Sequence, residues 1–303
     1  MTGVATVVVV GAASRDIVDD DPRGWRLGGG VSYSALVLAR LGLRVRALIG
    51  ADAEASRADE LQLLIDAGVD LVVAPLERGP VFINRETPNG RIQEALEASD
   101  PVTTGALPSS WRGSGGWLLA PVAAELPDEW ATVPTQESLV CVGWQGLLRV
   151  VTAGSRVGRV APGPSPVVRR ANLVGVGRDD LDPATDLDAL AAHVGPGGTL
   201  LVTNGVRGGI EIDVDVAGRP ARHRTWPIIP ADVVVDPTGA GDTFLAGVFA
   251  ARLEPRLVGG REGGWDLRLG AAAASLCCEA PGLTGVPDRA AVARRMARTT
   301  PLA

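Results

Sequence analysis

The chain has 303 residues, a net charge of −6 and hydrophobic residues at 46% of its positions, an ordinary globular composition that allows a sizeable core. Its 29 basic residues are all arginines, which excludes a Walker-A lysine, a Schiff base and a serine–lysine dyad. The acidic balance argues against nucleic-acid binding, and no apolar stretch is long enough to span a membrane.

A strand–helix alternation opens the chain. The β-branched run Val4–Val10 predicts a strand buried on both faces, and the apolar spacing of Ser32–Leu43 predicts a helix. Such alternation predicts a parallel sheet with helices on both faces. Further strands are predicted at Arg44–Ile49, Val69–Ala74, Gly116–Ala120, Leu139–Val142, Leu173–Val176, Thr199–Thr203 and Val233–Val235, with an antiparallel pair at Ile210–Val216 and Arg219–Trp226. Further helices are predicted at Ser56–Ala67, Leu187–His193, Thr243–Leu253, Asp266–Glu279 and Asp288–Arg298.

The alternation breaks between Leu76 and Ala106. Pro80–Asn84 and Arg91–Leu96 are typical of two strands, and Thr87–Gly90 between them contains the strong turn signal Asn-Gly. We therefore expect a β-hairpin that stands off the main sheet.

Three cysteines, at positions 141, 277 and 278, show neither a disulfide framework nor metal-ligand spacing. The apolar N-terminal run has no basic residues before it, so it does not predict a signal peptide. These features are typical of a protein of the reducing cytoplasm.

The segment Asp236–Asp242, with sequence D-P-T-G-A-G-D, is the most informative of the chain. Its small residues let the backbone approach a ligand, and a helix is predicted to begin directly after them. The unpaired amides and the dipole of a helix start form an anion hole suited to a phosphoryl group. Asp242 at that place can accept a proton from a substrate hydroxyl. The alternative interpretation is structural, with Asp242 as a helix cap and the glycines as a turn.

Polar residues after other strand ends are candidates for substrate contact, because ligands bind there in open α/β sheets. Asp16 follows the first strand, and Gln145 and Arg149 follow a later one. Asn84 and Arg85 lie in the predicted hairpin, where a lid would present polar groups to a substrate. Otherwise these are loop caps or solvated residues.

Asp236–Asp242 and the T-F-L-A-G that follows resemble the C-terminal signature of the PfkB, or ribokinase-like, carbohydrate kinases. The resemblance covers nearly the whole chain. Other segments similar to the family are Gly11–Asp16, Gly28–Gly30, Gly50–Asp52, Thr203–Gly208 and Val286–Pro287, and looser patterns at Val81–Gly90, Trp111–Val122 and Gln145–Gly146 resemble a myo-inositol-kinase-like branch.

The resemblance implies an α/β fold with three layers, α/β/α, and a mostly parallel central sheet. It further implies that residues 1–303 form a single kinase domain, with a small β lid from about residues 16–27 and 76–106.

The implied activity is ATP-dependent phosphoryl transfer to a hydroxyl of a small sugar, cyclitol or related polyol. Asp242 would be the general base, and the amides of Gly239, Ala240 and Gly241 would hold the developing charge. ATP and Mg²⁺ would be required, and some members of the family also bind a monovalent cation such as K⁺. The implied nucleotide-loop residues are Thr203, Gly205, Gly208, Asp236 and Thr238, and the implied acceptor residues are Asp16, Gly29, Gly30 and Asn84.

Three departures from the family pattern stand out. Ser32 and Tyr33 occupy the place of the usual asparagine after the glycine motif, and the first lid insert, Ile17–Leu27, is short. Gly177 replaces the asparagine of the motif that organises hydrated Mg²⁺, while Asp180 keeps the carboxylate, which would act through water.

Other function classes remain as alternatives. A nucleoside kinase of the same fold would differ only in the lid and the pocket floor, and loss of the metal motif would suit a non-catalytic nucleotide- or sugar-binding homologue. The first strand is not followed by the G-x-G-x-x-G motif of a Rossmann dehydrogenase, and the sequence has no G-x-S-x-G motif of an α/β-hydrolase, which argues against both classes. Arginines can replace lysine as phosphate partners. Separately, an exposed edge strand of the lid could pair with that of a second copy and form a homodimer.

Overall fold

The computed structural model describes residues 4–87, 90–258 and 264–298. Its strands are β1 (Thr6–Ala12), β2 (Arg15–Ile17), β3 (Trp25–Leu27), β4 (Arg44–Ala51), β5 (Asp70–Pro75), β6 (Val81–Thr87), β7 (Gly90–Glu97), β8 (Gly116–Leu119), β9 (Leu139–Gly143), β10 (Arg149–Val150), β11 (Ser155–Arg156), β12 (Gly158–Arg159), β13 (Leu173–Gly177), β14 (Thr199–Thr203), β15 (Gly209–Val214) and β16 (Pro220–Trp226). Its helices are α1 (Gly30–Leu41), α2 (Glu60–Asp66), α3 (Pro166–Arg170), α4 (Leu187–Ala191), α5 (Ala240–Leu253), α6 (Pro255–Val258), α7 (Trp265–Cys277) and α8 (Arg289–Ala297).

The central sheet has nine strands in the order β16-β15-β14-β13-β9-β8-β1-β4-β5. Every pairing from β14 to β5 is parallel, and β15 and β16 add an antiparallel edge. The predicted parallel sheet and its antiparallel edge pair are therefore confirmed.

Successive residues of β1 point to opposite faces of the sheet, and both faces are covered. Val7 and Val9 pack into the core formed with α1, α5 and α7, whereas Val8 and Val10 pack into the core that includes α3 and α4. All four are fully buried, which explains the continuous β-branched run. The result is the predicted three-layer α/β/α fold.

A second sheet of five strands, ordered β11-β7-β6-β2-β3, stands apart from the first. β6 and β7 form the predicted hairpin, although Pro88 and Asn89 of its predicted turn lie outside the described residues. β2 runs directly on from β1 after two residues and pairs with both β3 and β6. Both chain segments proposed for the lid thus contribute strands to one sheet.

Two elements differ from the prediction. Ser56–Ala67 was expected to be one helix, but a 3₁₀ turn at Ala55–Arg57 precedes α2 (Glu60–Asp66), because the backbone at Ala58 is extended. Val233–Val235 was expected to be a strand and is irregular instead, with side chains more than half exposed. The Val235 amide donates to the Cys278 carbonyl at the end of α7 rather than to a neighbouring strand.

None of the helices in the described ranges combines the length and the apolar character that crossing a membrane requires.

Candidate active site

The candidate residues gather at the carboxyl edge of the central sheet. β1, β8, β13 and β14 are parallel members of this sheet, so their C-terminal ends lie along the same edge. Asp16 lies in β2, which continues from the end of β1 into the second sheet, while Asp180 follows β13 and Thr203 ends β14. This is the edge at which open α/β sheets bind ligands.

The N-terminus of α5 faces the same region, and no side chain caps it. Gly239 is the N-cap residue in the left-handed conformation, with φ 77°, and Asp242 lies in the first turn of the helix. Asp242 is therefore not the N-cap residue, and no side chain caps the helix start, although the Ala240 amide donates to the Pro237 carbonyl at 3.2 Å. Such a helix start is a site for an anion.

Gly239 also makes a close backbone contact. A Cβ at this position would lie 2.2 Å from ring atoms of Tyr33, which is buried under the loop. The Tyr33 ring thus packs against the backbone of this loop. A Cβ at Gly241 would meet nothing within 4 Å. Gly239 therefore allows close packing against Tyr33, whereas Gly241 borders open space.

The glycine triplet makes room for two carboxylates. A Cβ on Gly28 would lie 2.3 Å from Asp16 Oδ2, and one on Gly30 would lie 2.5 Å from Asp242 Oδ1. Gly29 has φ 91° and lies against the Ala12 carbonyl. The structure therefore brings Asp16, Gly29, Gly30 and Asp242 close to one another.

Burial in this cleft raises the pKa of Asp242 to about 6. The positive charge of Arg149 opposes this rise, and the neighbouring Asp180 and Asp16 carboxylates add to it. Burial raises the pKa of the Tyr33 hydroxyl and of the Cys277 thiol, and the nearby charge of Asp242 adds to both rises. A carboxylate with a pKa close to neutrality can exchange a proton near physiological pH.

Asp180 is held by residues from a different loop. Gln145 donates its amide to both carboxylate oxygens, at 2.9 and 3.0 Å, and a terminal nitrogen of Arg149 is 3.8 Å from Oδ1. A Cβ on Gly177 would lie 2.8 Å from Asp180 Oδ2, so the absence of a side chain there leaves room for the carboxylate. Gln145 and Arg149 therefore belong to the site.

The nucleotide-loop candidates follow β14 and precede α5. Thr203 donates its hydroxyl to the Val176 carbonyl at 3.4 Å. Gly205 and Gly208 both have positive φ, and a Cβ on Gly208 would lie 2.0 Å from the Trp226 carbonyl oxygen. These two glycines fix the shape of the turn.

Asp236 organises its own loop. Its Oδ1 accepts from the Thr238 amide at 2.9 Å, and its Oδ2 accepts from the Gly282 amide at 3.0 Å. No group of three or more histidine, cysteine or acidic side chains suited to hold a metal ion occurs within the described ranges. A lone carboxylate such as Asp180 is nevertheless a suitable partner for Mg²⁺, which keeps several waters and binds mainly to phosphates.

One face of the second sheet carries the lid candidates. Asn84 and Gln93 are directly opposite each other on β6 and β7, and Gln93 donates its amide to the Asn84 side-chain oxygen at 2.8 Å. Phe82 lies on the same face, with its ring 6.0 Å from the Arg149 guanidinium. Asn84 therefore points to the side of the sheet where Arg149 lies.

Sequence reasoning did not find Gln93 or Glu125. The predicted hairpin register could have paired Gln93 with Asn84, because directly opposite residues share a face. Glu125 is buried, and its carboxylate accepts backbone amides from Ala12, Val122 and Ala123 at 2.7–3.1 Å. No sequence motif predicts that this carboxylate binds backbone amides, one of them from Ala12 at the end of β1.

Known proteins share this architecture and its signature. Residues 174–289 match the model of the pfkB family carbohydrate kinases. Over these residues the chain is similar to the pfkB family carbohydrate kinases. A ribokinase of Arabidopsis thaliana is 48% identical to this chain over 66 residues, which are 22% of the chain and only 16% of that protein.

Solved structures share the fold of this chain at low sequence identity. A pyrophosphate-dependent ribokinase-family kinase complexed with a pyrophosphate analogue and myo-inositol has a TM-score of 0.74 at 18% identity, and the match covers 95% of this chain and 99% of that one. Arabidopsis thaliana ribokinase complexed with ribose and ATP has a TM-score of 0.68 at 20% identity, with coverage of 98% and 100%. The predicted family resemblance and the fold class are confirmed.

Proposed function

We propose that this protein transfers a phosphoryl group from ATP to a hydroxyl of a small sugar, cyclitol or related polyol. The observation that carries the proposal is Asp242 at the uncapped N-terminus of α5, with its Oδ1 against the backbone of Gly30. A base and an anion-binding helix start then meet at one point, which is what transfer to a hydroxyl requires.

Phosphoryl transfer needs positioning and charge stabilisation more than covalent work by the protein. Asp242 takes the proton of the attacking hydroxyl as its oxygen bonds to phosphorus and the donor's bridging bond breaks. The amides of Gly239, Ala240 and Gly241 hold the charge that develops on the phosphoryl oxygens. Asp16 and Asn84 orient the acceptor, because carboxylate and amide oxygens accept hydrogen bonds from hydroxyls.

This polar lining supports the proposed acceptor class. Asp16, Asn84 and Gln93 present oxygens and an amide to the acceptor side, which suits a compound rich in hydroxyls. The myo-inositol in the complex of one solved relative supports the cyclitol end of this class. A nucleoside acceptor remains the alternative within the same fold.

The donor is the point on which the solved relatives differ, since one is pyrophosphate-dependent and another binds ATP. Val233, Val234 and Val235, which directly precede the anion-binding loop, are 53–67% exposed. A nucleobase could cover this apolar run, whereas pyrophosphate could not, so the valines favour ATP. Thr203, Gly205, Gly208, Asp236 and Thr238 would line the donor phosphates and the loop beside them.

Mg²⁺, when bound, neutralises donor phosphate charge during transfer. Asp180 would hold it through water, and Gln145 keeps that carboxylate in place. A monovalent cation would lie near Asp236 and Thr238. Cytoplasmic location and pairing of two copies through the lid stay predictions.

The experiment is a matrix of donors and acceptors. ATP, GTP and pyrophosphate are each combined with sugars, cyclitols and nucleosides, and phosphorylated product is measured directly by ³¹P NMR or mass spectrometry. We expect product with ATP and at least one polyol. Product with nucleosides alone, or with pyrophosphate alone, would contradict the acceptor or the donor assignment, and no product with any pair would favour a non-catalytic binding protein.

Activity is expected to fall on the acid side with a midpoint near the pKa of Asp242, which is about 6. Only the deprotonated carboxylate accepts a proton, so kcat/KM should fall about tenfold per pH unit below that value. The measurement is kcat/KM from pH 4.5 to 8.5, with an assay whose detection of product does not depend on pH. An acid limb centred near 4 would show that Asp242 titrates like an ordinary exposed aspartate or is not the base.

Asp180→Ala is expected to raise the Mg²⁺ concentration needed for half-maximal activity several-fold. The reason is that Asp180 is the carboxylate retained from the family's metal motif, and Mg²⁺ is bound largely by its own waters and phosphates. Mg²⁺ titrations of turnover test this, with the exposed neighbouring carboxylate in Asp179→Ala as the matched control. Equal Mg²⁺ dependence in both variants would remove Asp180 from metal handling.

A further inference from the structure

Arg149 occupies a position between three parts of the site. Its side chain is only 12% exposed, and its guanidinium lies 6.0 Å from the Phe82 ring on the second sheet. A terminal nitrogen is 3.8 Å from Asp180 Oδ1. The positive charge also acts on Asp242, which places the guanidinium among the candidate base, the metal carboxylate and the acceptor side.

The guanidinium is held by the loop that follows β8. Its other terminal nitrogen donates to the Val122 carbonyl at 3.1 Å. Glu125, completely buried behind this loop, accepts the Val122 amide at 3.0 Å and the Ala12 amide at 2.9 Å. The orientation of Arg149 is thus connected, through one carbonyl, to the end of the central strand β1.

Backbone contacts fix the same loop from the other side. Ala124 has φ 59°, the sole non-glycine residue with positive φ in the described part of the chain, and its amide donates to the Gly146 carbonyl at 3.1 Å. A Cβ on Gly146 would lie 2.2 Å from the Pro121 carbonyl. A non-glycine residue persists in this conformation only where its surroundings hold it there. The loop and the turn before Arg149 therefore form one rigid support.

The charges around this place need a cation during phosphoryl transfer. Asp16, Asp180 and Asp242 contribute three carboxylates to the edge of the sheet, and the donor phosphates add further negative charge. The chain has no lysine to balance them. A guanidinium has a planar set of donors that matches phosphate oxygens and is always charged.

We propose that Arg149 is a catalytic residue that binds the oxygens of the transferring phosphoryl group. This inference rests on the proposed kinase function. The guanidinium, already oriented by Val122, donates hydrogen bonds to the phosphoryl oxygens as the donor bond breaks and the new bond to the acceptor oxygen forms. The proton of that hydroxyl goes to Asp242, and Arg149 keeps its own protons throughout.

The test uses the full chain with Arg149→Ala, Arg149→Lys and, as matched control, Arg85→Ala. Arg85, a hairpin candidate by sequence, neighbours Asn84 on β6, so its side chain points to the opposite face, away from Arg149; it is exposed and lies 3.7 Å from Glu94. We expect Arg149→Ala to lower kcat by roughly 10²–10³-fold with acceptor KM changed less than about threefold. Arg85→Ala should keep the turnover of the unchanged protein.

Chemical rescue separates a catalytic role from a structural one. Guanidinium ion at millimolar concentration should restore part of the turnover of Arg149→Ala and should not raise that of Arg149→Lys, whose ammonium keeps the charge without the planar donors. Turnover close to the unchanged protein in both variants would overturn the proposal. So would a rise in acceptor KM at constant kcat, because Arg149 would then bind the acceptor.

Two further measurements keep the proposal testable in every case. If Arg149→Ala fails to fold, as judged by thermal unfolding, a folded Arg149→Lys with undiminished kcat refutes it. If the unchanged protein shows no turnover with any donor and acceptor, the kinase function fails by itself, and calorimetric titration with inorganic tripolyphosphate still tests Arg149. We then expect Arg149→Ala to bind tripolyphosphate about tenfold more weakly, and equal affinity would show that Arg149 does not bind phosphate.

Discussion

Asp242→Asn is expected to lower kcat by about 10²–10⁴-fold while donor affinity stays near that of the unchanged protein. Asparagine keeps the shape of the side chain and its oxygen against Gly30 but cannot accept a proton. The amides at the start of α5 remain available to the donor phosphates. A steady-state kinase assay together with calorimetric ATP binding measures the two quantities separately.

The matched control for this variant is Asp266→Asn. Asp266 is also an acidic residue in the first turn of a helix, α7, but it forms a hydrogen-bonded ion pair with Arg252 at 2.8 Å. The control should alter stability and leave kcat nearly unchanged. Near-normal turnover in Asp242→Asn would reduce Asp242 to a structural residue. Loss of ATP binding or folding in Asp242→Asn would likewise remove the main support for the mechanism.

Gly239→Ala is expected to destabilise the folded protein by about 2–4 kcal/mol, since it combines backbone strain with overpacking. The new Cβ would lie 2.2 Å from the buried Tyr33 ring, and alanine is strained at φ 77°. Either Tyr33 moves or the start of α5 does, so activity should fall as well. Chemical denaturation measures the free energy of unfolding.

Gly241→Ala is the control from the same loop. Its Cβ would meet nothing within 4 Å, and alanine favours a helix over glycine by about 1 kcal/mol. We expect unfolding free energy equal to or slightly above that of the unchanged protein. Equal destabilisation by both substitutions would contradict the assigned contact between Gly239 and Tyr33.

Much of the fold is predictable from local signals. The run Val4–Val10 and the helix that ends at Gly42 carry their structure in adjacent residues, because strand and helix preferences act over a few positions. Val233–Val235 has the same strand-like composition but remains irregular. Its backbone bonds to the end of α7, a contact between distant segments that composition cannot reveal.

The candidate site divides in the same way. Asp242 is predictable because the anion-binding loop and the helix after it are contiguous in sequence. The convergence of Gln145 and Arg149 on Asp180 is a tertiary contact between the segments that follow β9 and β13, so the sequence identifies these residues only as loop candidates. The role of Glu125 is harder still to predict, because its partners are backbone amides, which carry no residue-specific pattern.

The glycine triplet has a consequence for how acceptor preference can change over evolution. Gly28 lies against Asp16 and Gly30 against Asp242, so one short piece of backbone sets the position of both the carboxylate proposed to bind the acceptor and the candidate base. A substitution there would alter recognition and turnover together. The pair formed by Asn84 and Gln93 belongs to a separate sheet, and it can be exchanged without moving that backbone. Variation among descendants that adopt new acceptors should therefore concentrate in the hairpin and spare the triplet.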